Sequence, residues 1–183
     1  MTRDDAEQLP LETTEEWRRW LERNHAASSG VWLVSWRRQT GRPAMSYDEA
    51  ITEAVAFGWV DSQSKTLDEE RSALWFVPRR PGSPWSRTNK ERVERLEDEG
   101  RMTDAGRRLV EAAKADGTWS ILDGPDALIV PDDLGSALRA AAAQDAWNAQ
   151  TPGVRRAALT KLALAKRLDT RARYVSEIVA GLR

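Results

Sequence analysis

Four cations, three hydroxyls and an indole fall within the dozen residues Arg79-Arg80-Pro81-Gly82-Ser83-Pro84-Trp85-Ser86-Arg87-Thr88-Asn89-Lys90. Proline has no amide N–H to extend a β-ladder, so residues 78–86, with three prolines and a glycine, read as a loop that feeds a helix. Open amides and the positive dipole end at that helix start, beside Arg79, Arg80, Arg87 and Lys90, suit a phosphate, sulfate or carboxylate. Ser83 and Ser86 can add hydroxyl donors, Trp85 can stack on a base or ring, and Asn89 completes the set. The competing reading is structural, because Pro-Gly-Ser loops cap ordinary helices and the pattern is not a Walker loop.

A second group lies at Phe57-Gly58-Trp59-Val60-Asp61-Ser62, where a glycine ends a helix and delivers Asp61 and Ser62 onto a strand beside Trp59. Alternation would put Asp61 on the pleat face of Trp59 and Gln63, where it could orient a ligand amine or act as a base. Otherwise Trp59 is core and Asp61 pairs with a nearby Arg. His25, the only histidine, follows Asn24 at a helix end, where an imidazole can satisfy the last carbonyls as readily as serve a nucleophile.

Residues 151–183 carry eight basic and two acidic side chains, against one basic and six acidic over residues 1–16. Arg155, Arg156, Lys161, Lys166, Arg167, Arg171 and Arg173 are thus a candidate footprint for nucleic acid or an acidic partner. Helical periodicity spreads them over more than one face, and no RNA-binding or helix-turn-helix signature accompanies them; the alternative is a solvated surface.

These side chains need elements to hold them. Thr13 with Glu16 and Ser46 with Glu49 form capping boxes ahead of apolar stripes, predicting helices from about 14 to 24 and from 47 to a stop at Gly58. Val31 to Trp36 reads as a strand covered on both faces, and Trp59 to Leu67 with Ser72 to Val77 reads as a hairpin around Asp68-Glu69-Glu70-Arg71. Thr88 with Glu91, or Ser86 alone, caps a helix ending at Gly100, and Thr103 caps another running to Gly117. Asp123-Gly124-Pro125-Asp126 and Val130-Pro131-Asp132-Asp133 punctuate a linker. Beyond it, Leu134 and Leu138 open one helix, Val154, Ala158, Leu162 and Ala165 mark a second, and Tyr174, Val175, Ile178, Val179 and Leu182 a third.

Composition excludes several chemistries. Without cysteine there is no disulfide, thiolate zinc site or nucleophilic thiol, and one histidine cannot build a multi-histidine zinc site. No paired acidic ligands argue for Mg²⁺, so neither metal nor cofactor is expected. The polar start MTRDDAEQLP is unlike a secretory signal, and no apolar run approaches a membrane span, so the cytoplasm is the expected location with no membrane partner. Nine of thirteen aromatic residues are Trp, which divides them between core anchors and a cleft lining.

The blocks Ser46 to Ala50, Phe57 to Ser62, Pro78 to Ser86, Asn89 to Val93, Gly100 to Thr103 and Ala113 to Gly117, with the tail at Arg155-Arg156, Ala165-Lys166-Arg167 and Thr170 to Arg173, resemble the YdeI/OmpD-associated, bacteriocin-protection family over roughly residues 15–183. The resemblance implies a bacterial stress or toxin-protection protein and carries over no catalytic residues. Trp75 and Val77 stand where that family commonly reads Phe-Thr, which alters the wall of any cleft, and Thr160 and Leu162 stand where it often has Trp-Ile.

The expected fold is α+β: a three-stranded sheet from residues 31–37, 59–67 and 72–78 with helices at 14, 47, 88 and 104 in a domain of residues 1–125, then an all-helical unit of 126–183. The expected function is binding of a small anionic or aromatic ligand at Trp59, Asp61, Ser62, Arg79, Arg80, Ser83, Trp85, Ser86, Asn89 and Lys90. One alternative is an enzyme with Asp61 as base and an anion cradle at Ser83 to Lys90. The other is nucleic-acid or acidic-partner binding through the basic tail.

Overall fold

The computed structural model describes residues 6–182 of the chain, so residues 1–5 of the acidic start and Arg183 of the basic tail lie outside the described residues. The fold is mixed α and β, in two compact units: residues 6–83 with 88–116, and residues 84–87 with 117–182.

In the first unit the sheet has four strands, β1 (Gln8–Pro10), β2 (Val31–Trp36), β3 (Trp59–Thr66) and β4 (Arg71–Pro78), in the order β1-β2-β4-β3. The expected three-stranded sheet is corrected by β1, a three-residue edge strand parallel to β2. So short a strand shows no alternation to read, and Pro10, which lacks a donor, is tolerated only at such an edge. The other pairings are antiparallel, with Trp32 opposite Trp75 and Val31 opposite Phe76.

Helices α1 (Thr14–Asn24) and α2 (Tyr47–Ala56) start at the two predicted boxes. Thr13 and Ser46 accept from the Glu16 and Glu49 amides, and each glutamate returns a bond to its cap backbone. Both helices cover the Phe76 face of the sheet: the Trp17 ring lies 5.2 Å from Phe76, and its indole donates to Ala50 O at 3.0 Å. The second pleat face carries its own cluster of Trp32, Val34, Ala73 and Trp75. Both faces of β2 are therefore buried, as its unbroken apolar run predicts. Gly58, at φ 74°, turns α2 into β3 in a conformation that disfavours a side chain. Helices α3 (Arg87–Asp98) and α4 (Asp104–Asp116) follow; α3 begins directly after Ser86, so Thr88 lies inside it, and Thr103 caps α4 by accepting from Gly106 N at 3.4 Å.

The β3–β4 register breaks between Asp61 and Gln63, leaving Ser62 as the extra residue of a bulge. Asp61 faces Phe76 while Gln63 faces Trp75, so the two point to opposite sides of the sheet. This corrects the expectation that they share a face.

In the second unit, among the described residues, five helices follow one another: α5 (Asp123–Asp126), α6 (Asp132–Ala140), α7 (Gln144–Asn148), α8 (Pro152–Ala163) and α9 (Leu168–Ala180). Leu134, Leu138, Trp147, Leu159, Leu162, Val175 and Val179 form its core. The stripe expected on α8 is rotated, with Leu159 and Leu162 buried and Val154 exposed; an alanine-rich helix gives periodicity little contrast to act on. The predicted linker contains α5, a single turn. No helix among the described residues is long and apolar enough to cross a membrane.

Candidate functional site

A cleft of about 530 Å³ opens on the second face of the sheet, within the first unit. Its floor is the Val60–Val77 pair and the Trp75 indole, and its rim is Ser62 together with Arg80 and Ser83 of the loop after β4. Three of the sequence-predicted site residues, Ser62, Arg80 and Ser83, thus meet in one hollow. Alternation from Val60 already puts Ser62 on this face, and the bulge brings Gln63 onto it as well. The loop turns back at Gly82 (φ 75°), where Ser83 N donates to Arg80 O at 3.2 Å and holds both rim residues together.

The polar groups of this rim are uncommitted. Among the described residues, the Arg80 guanidinium and the Ser62 and Ser83 hydroxyls make no hydrogen bond to the protein. A planar cation with two hydroxyls above an apolar, indole-floored hollow can hold an anionic group at the rim and a flat ring at the floor.

The other predicted residues lie elsewhere. Trp59 is buried on the helix face, its indole donating to His25 O at 3.2 Å. Asp61 stands on that face too, where it accepts from Tyr47 Oη at 2.8 Å. Partial desolvation first, and then the bond to Asp61, push the phenol of Tyr47, which is 56% exposed, up to about 12. Arg79 is 7% exposed, and burial lowers its pKa to about 10 against the opposing pull of Asp61. Trp85 is 1% exposed with its ring 5.2 Å from Trp119 of the second unit, so it is packed rather than open for stacking. Ser86 also belongs to that unit, at its surface. On α3, the Asn89 carbonyl accepts from Arg92 Nη1 at 2.8 Å, and Lys90 is half-buried. Neither Asp61 nor Ser86 lines the cleft.

His25 Nδ1 lies 2.8 Å from Leu21 O, the helix-end arrangement its position suggests. The basic tail is largely neutralised within its own unit. Arg171 holds Asp133 at 2.6 Å, Arg156 meets Asp126, Lys161 meets Glu177 at 2.7 Å, and Arg167 meets Asp169 at 2.5 Å. Two of those acids, Asp126 and Asp133, precede residue 151, which is why a charge count over the tail alone overstates its field.

Sequence reasoning missed Ser29 and Gly30, the two cleft residues ahead of β2. A glycine directly before a both-faces-buried strand was the available signal. Trp75, which the family resemblance singles out as altering a cleft wall, forms part of the floor.

Residues 9–109 match the model of the family described as Domain of unknown function (DUF8412), and residues 127–183 match the model described as Bacteriocin-protection, YdeI or OmpD-Associated. No curated protein and no solved structure matches the chain. The resemblance seen in the sequence is therefore borne out over the C-terminal part. Every cleft residue except Ala6 falls under the first model.

Proposed function

The chain belongs to the DUF8412 family, and from that premise we propose that it is a bacteriocin-protection-type protein that binds a small anionic or aromatic ligand in the cleft on the second face of its sheet. The observation that carries this reading is the convergence of three uncommitted polar groups, on Ser62, Arg80 and Ser83, above the Trp75 indole. Donors that make no bond to the protein and stand together at the rim of a hollow can meet an anion without breaking an internal contact. The expected mode is an anionic oxygen on Arg80 and the two hydroxyls, with an apolar or ring portion over Val60, Val77 and Trp75.

A thermal-shift screen with nucleotides, sugar phosphates and aromatic carboxylates tests it, because a ligand that binds only the folded state raises the midpoint. At a concentration of about 100 Kd the stabilisation is about 2.7 kcal/mol, well within detection. Arg80→Ala, at an exposed loop position, should remove the response while leaving the unliganded midpoint unchanged. No response from any of the three classes, or an equal response from Arg80→Ala, contradicts the reading.

A further inference from the structure

Glu53, in the middle of α2, is fully buried. A carboxylate taken out of water needs cations and donors closed around it. Arg18 of α1 gives Nη1 to its Oε2 at 2.9 Å, and Arg101, from the turn after α3, gives Nη2 to its Oε1. Arg18 Nη2 also bonds Arg101 O at 3.2 Å, tying the two arginines together. Asp48, nearer the start of α2, receives Arg92 at 2.7 Å and Arg95 Nη2 at 3.1 Å.

Arg18, Asp48, Glu53, Arg95 and Arg101 line a second cleft of about 510 Å³, separate from the one on the sheet, together with charges that these pairs leave open. Glu15 and Glu49 stand in the first turns of α1 and α2. Among the described residues the Glu15 carboxylate makes no bond, and the exposed Glu49 is tied only to Ser46, whose N donates to its Oε2 at 2.8 Å. Toward the next turn, Arg95 reaches Asp48 and Thr52 through Nη2 alone, leaving Nε and Nη1, and Arg101 leaves Nε. Open acceptors and open donors therefore line the same cleft.

We infer that this cleft binds a small zwitterion, such as a dipeptide, through its two charged ends. The ammonium meets Glu15 and Glu49, and the carboxylate meets Arg95 and Arg101. Neither a bare anion nor a bare amine satisfies both ends.

Calorimetric titration of the whole chain with alanyl-alanine, its N-acetyl form, its C-terminal amide and inorganic phosphate tests the inference. Alanyl-alanine should bind saturably, and each capped form, having lost one charged contact, should bind at least about tenfold more weakly. Glu15→Gln, which breaks no bond within the protein, should weaken alanyl-alanine by about tenfold, and Arg95→Gln should do the same. Arg80→Ala on the sheet cleft should leave it intact, which separates this site from the other. Absence of heat up to about 10 mM, a capped form or phosphate binding as tightly as alanyl-alanine, or an unchanged Glu15→Gln overturns the inference. If Arg95→Gln does not fold, the Glu15→Gln result decides.

Discussion

Gly30 stands so close to Trp75 that a Cβ added to it would lie 2.4 Å from the indole Cζ2. The bare backbone ahead of β2 is what lets the ring lie where it floors the sheet cleft, and φ 153° at Gly30 is itself a conformation that resists a side chain. Gly30→Ala should therefore destabilise the fold by about 2–4 kcal/mol through strain and overpacking together. Urea unfolding measures the loss, and combining it with Trp75→Ala should recover part of it. Strictly additive effects of the two changes would mean that the glycine and the indole are not coupled.

What the sequence could and could not disclose follows from range. The boxes at Thr13 and Ser46, the stop at Gly58 and the unbroken run Val31 to Val34 act through neighbours a few residues away, and each was legible. The Ser62 bulge was not, because it exists only relative to β4, and it moved Gln63 to the other face. Arg79 and Arg80 are adjacent and chemically alike, yet one is buried and the other is at the cleft rim. Trp85 offered a stacking surface until Trp119, far along the chain, was packed against it. Glu53 gave no signal inside an amphipathic helix, since the arginines that hold it come from α1 and from the turn after α3.

Removing one member of a buried ion cluster leaves the others without their partner, so Glu53→Gln should cost about 3 kcal/mol. Arg18→Gln and Arg101→Gln should cost less, because those side chains are 27% and 41% exposed and water takes up part of the loss. Denaturant midpoints give the order. A Glu53→Gln variant as stable as the parent would show that the cluster does not hold α1, α2 and the α3–α4 turn together.

Tyr47 is a reporter for the helix face of the sheet. Its folded pKa, about 12, lies above the usual value near 10, so the stability it contributes is full below about pH 10 and is lost as pH rises toward 12. Ultraviolet titration, with Tyr47→Phe subtracted to remove Tyr174, should show its late ionisation. Asp61→Asn should bring that ionisation down while leaving the part due to burial. An unchanged titration in Asp61→Asn would dismiss the 2.8 Å bond as a contributor.

Asp48 works in the opposite sense. The Arg92 hydrogen bond, more than the Arg95 pairing, holds its carboxyl below the ordinary range, so its stabilisation is present above about pH 4 and is lost as pH falls through the lowered folded value. Asp48→Asn should be less stable than the parent at neutral pH, and the gap should close on acidification. A gap that stays constant down to about pH 2 would assign the effect to packing instead of charge.

The proposed ligand cleft can be watched from its own floor. Indole N–H resonances of the nine tryptophans, with the Trp75 signal identified by Trp75→Phe, should be followed while nucleotides, sugar phosphates or aromatic carboxylates are added. The Trp75 resonance should move saturably with a ligand of one of these classes while that of Trp147, in the core of the helical unit, stays still, and Arg80→Ala should abolish the movement. A Trp75 signal that stays fixed under every ligand class, or that moves equally in Arg80→Ala, contradicts the assignment of the sheet face as the binding site.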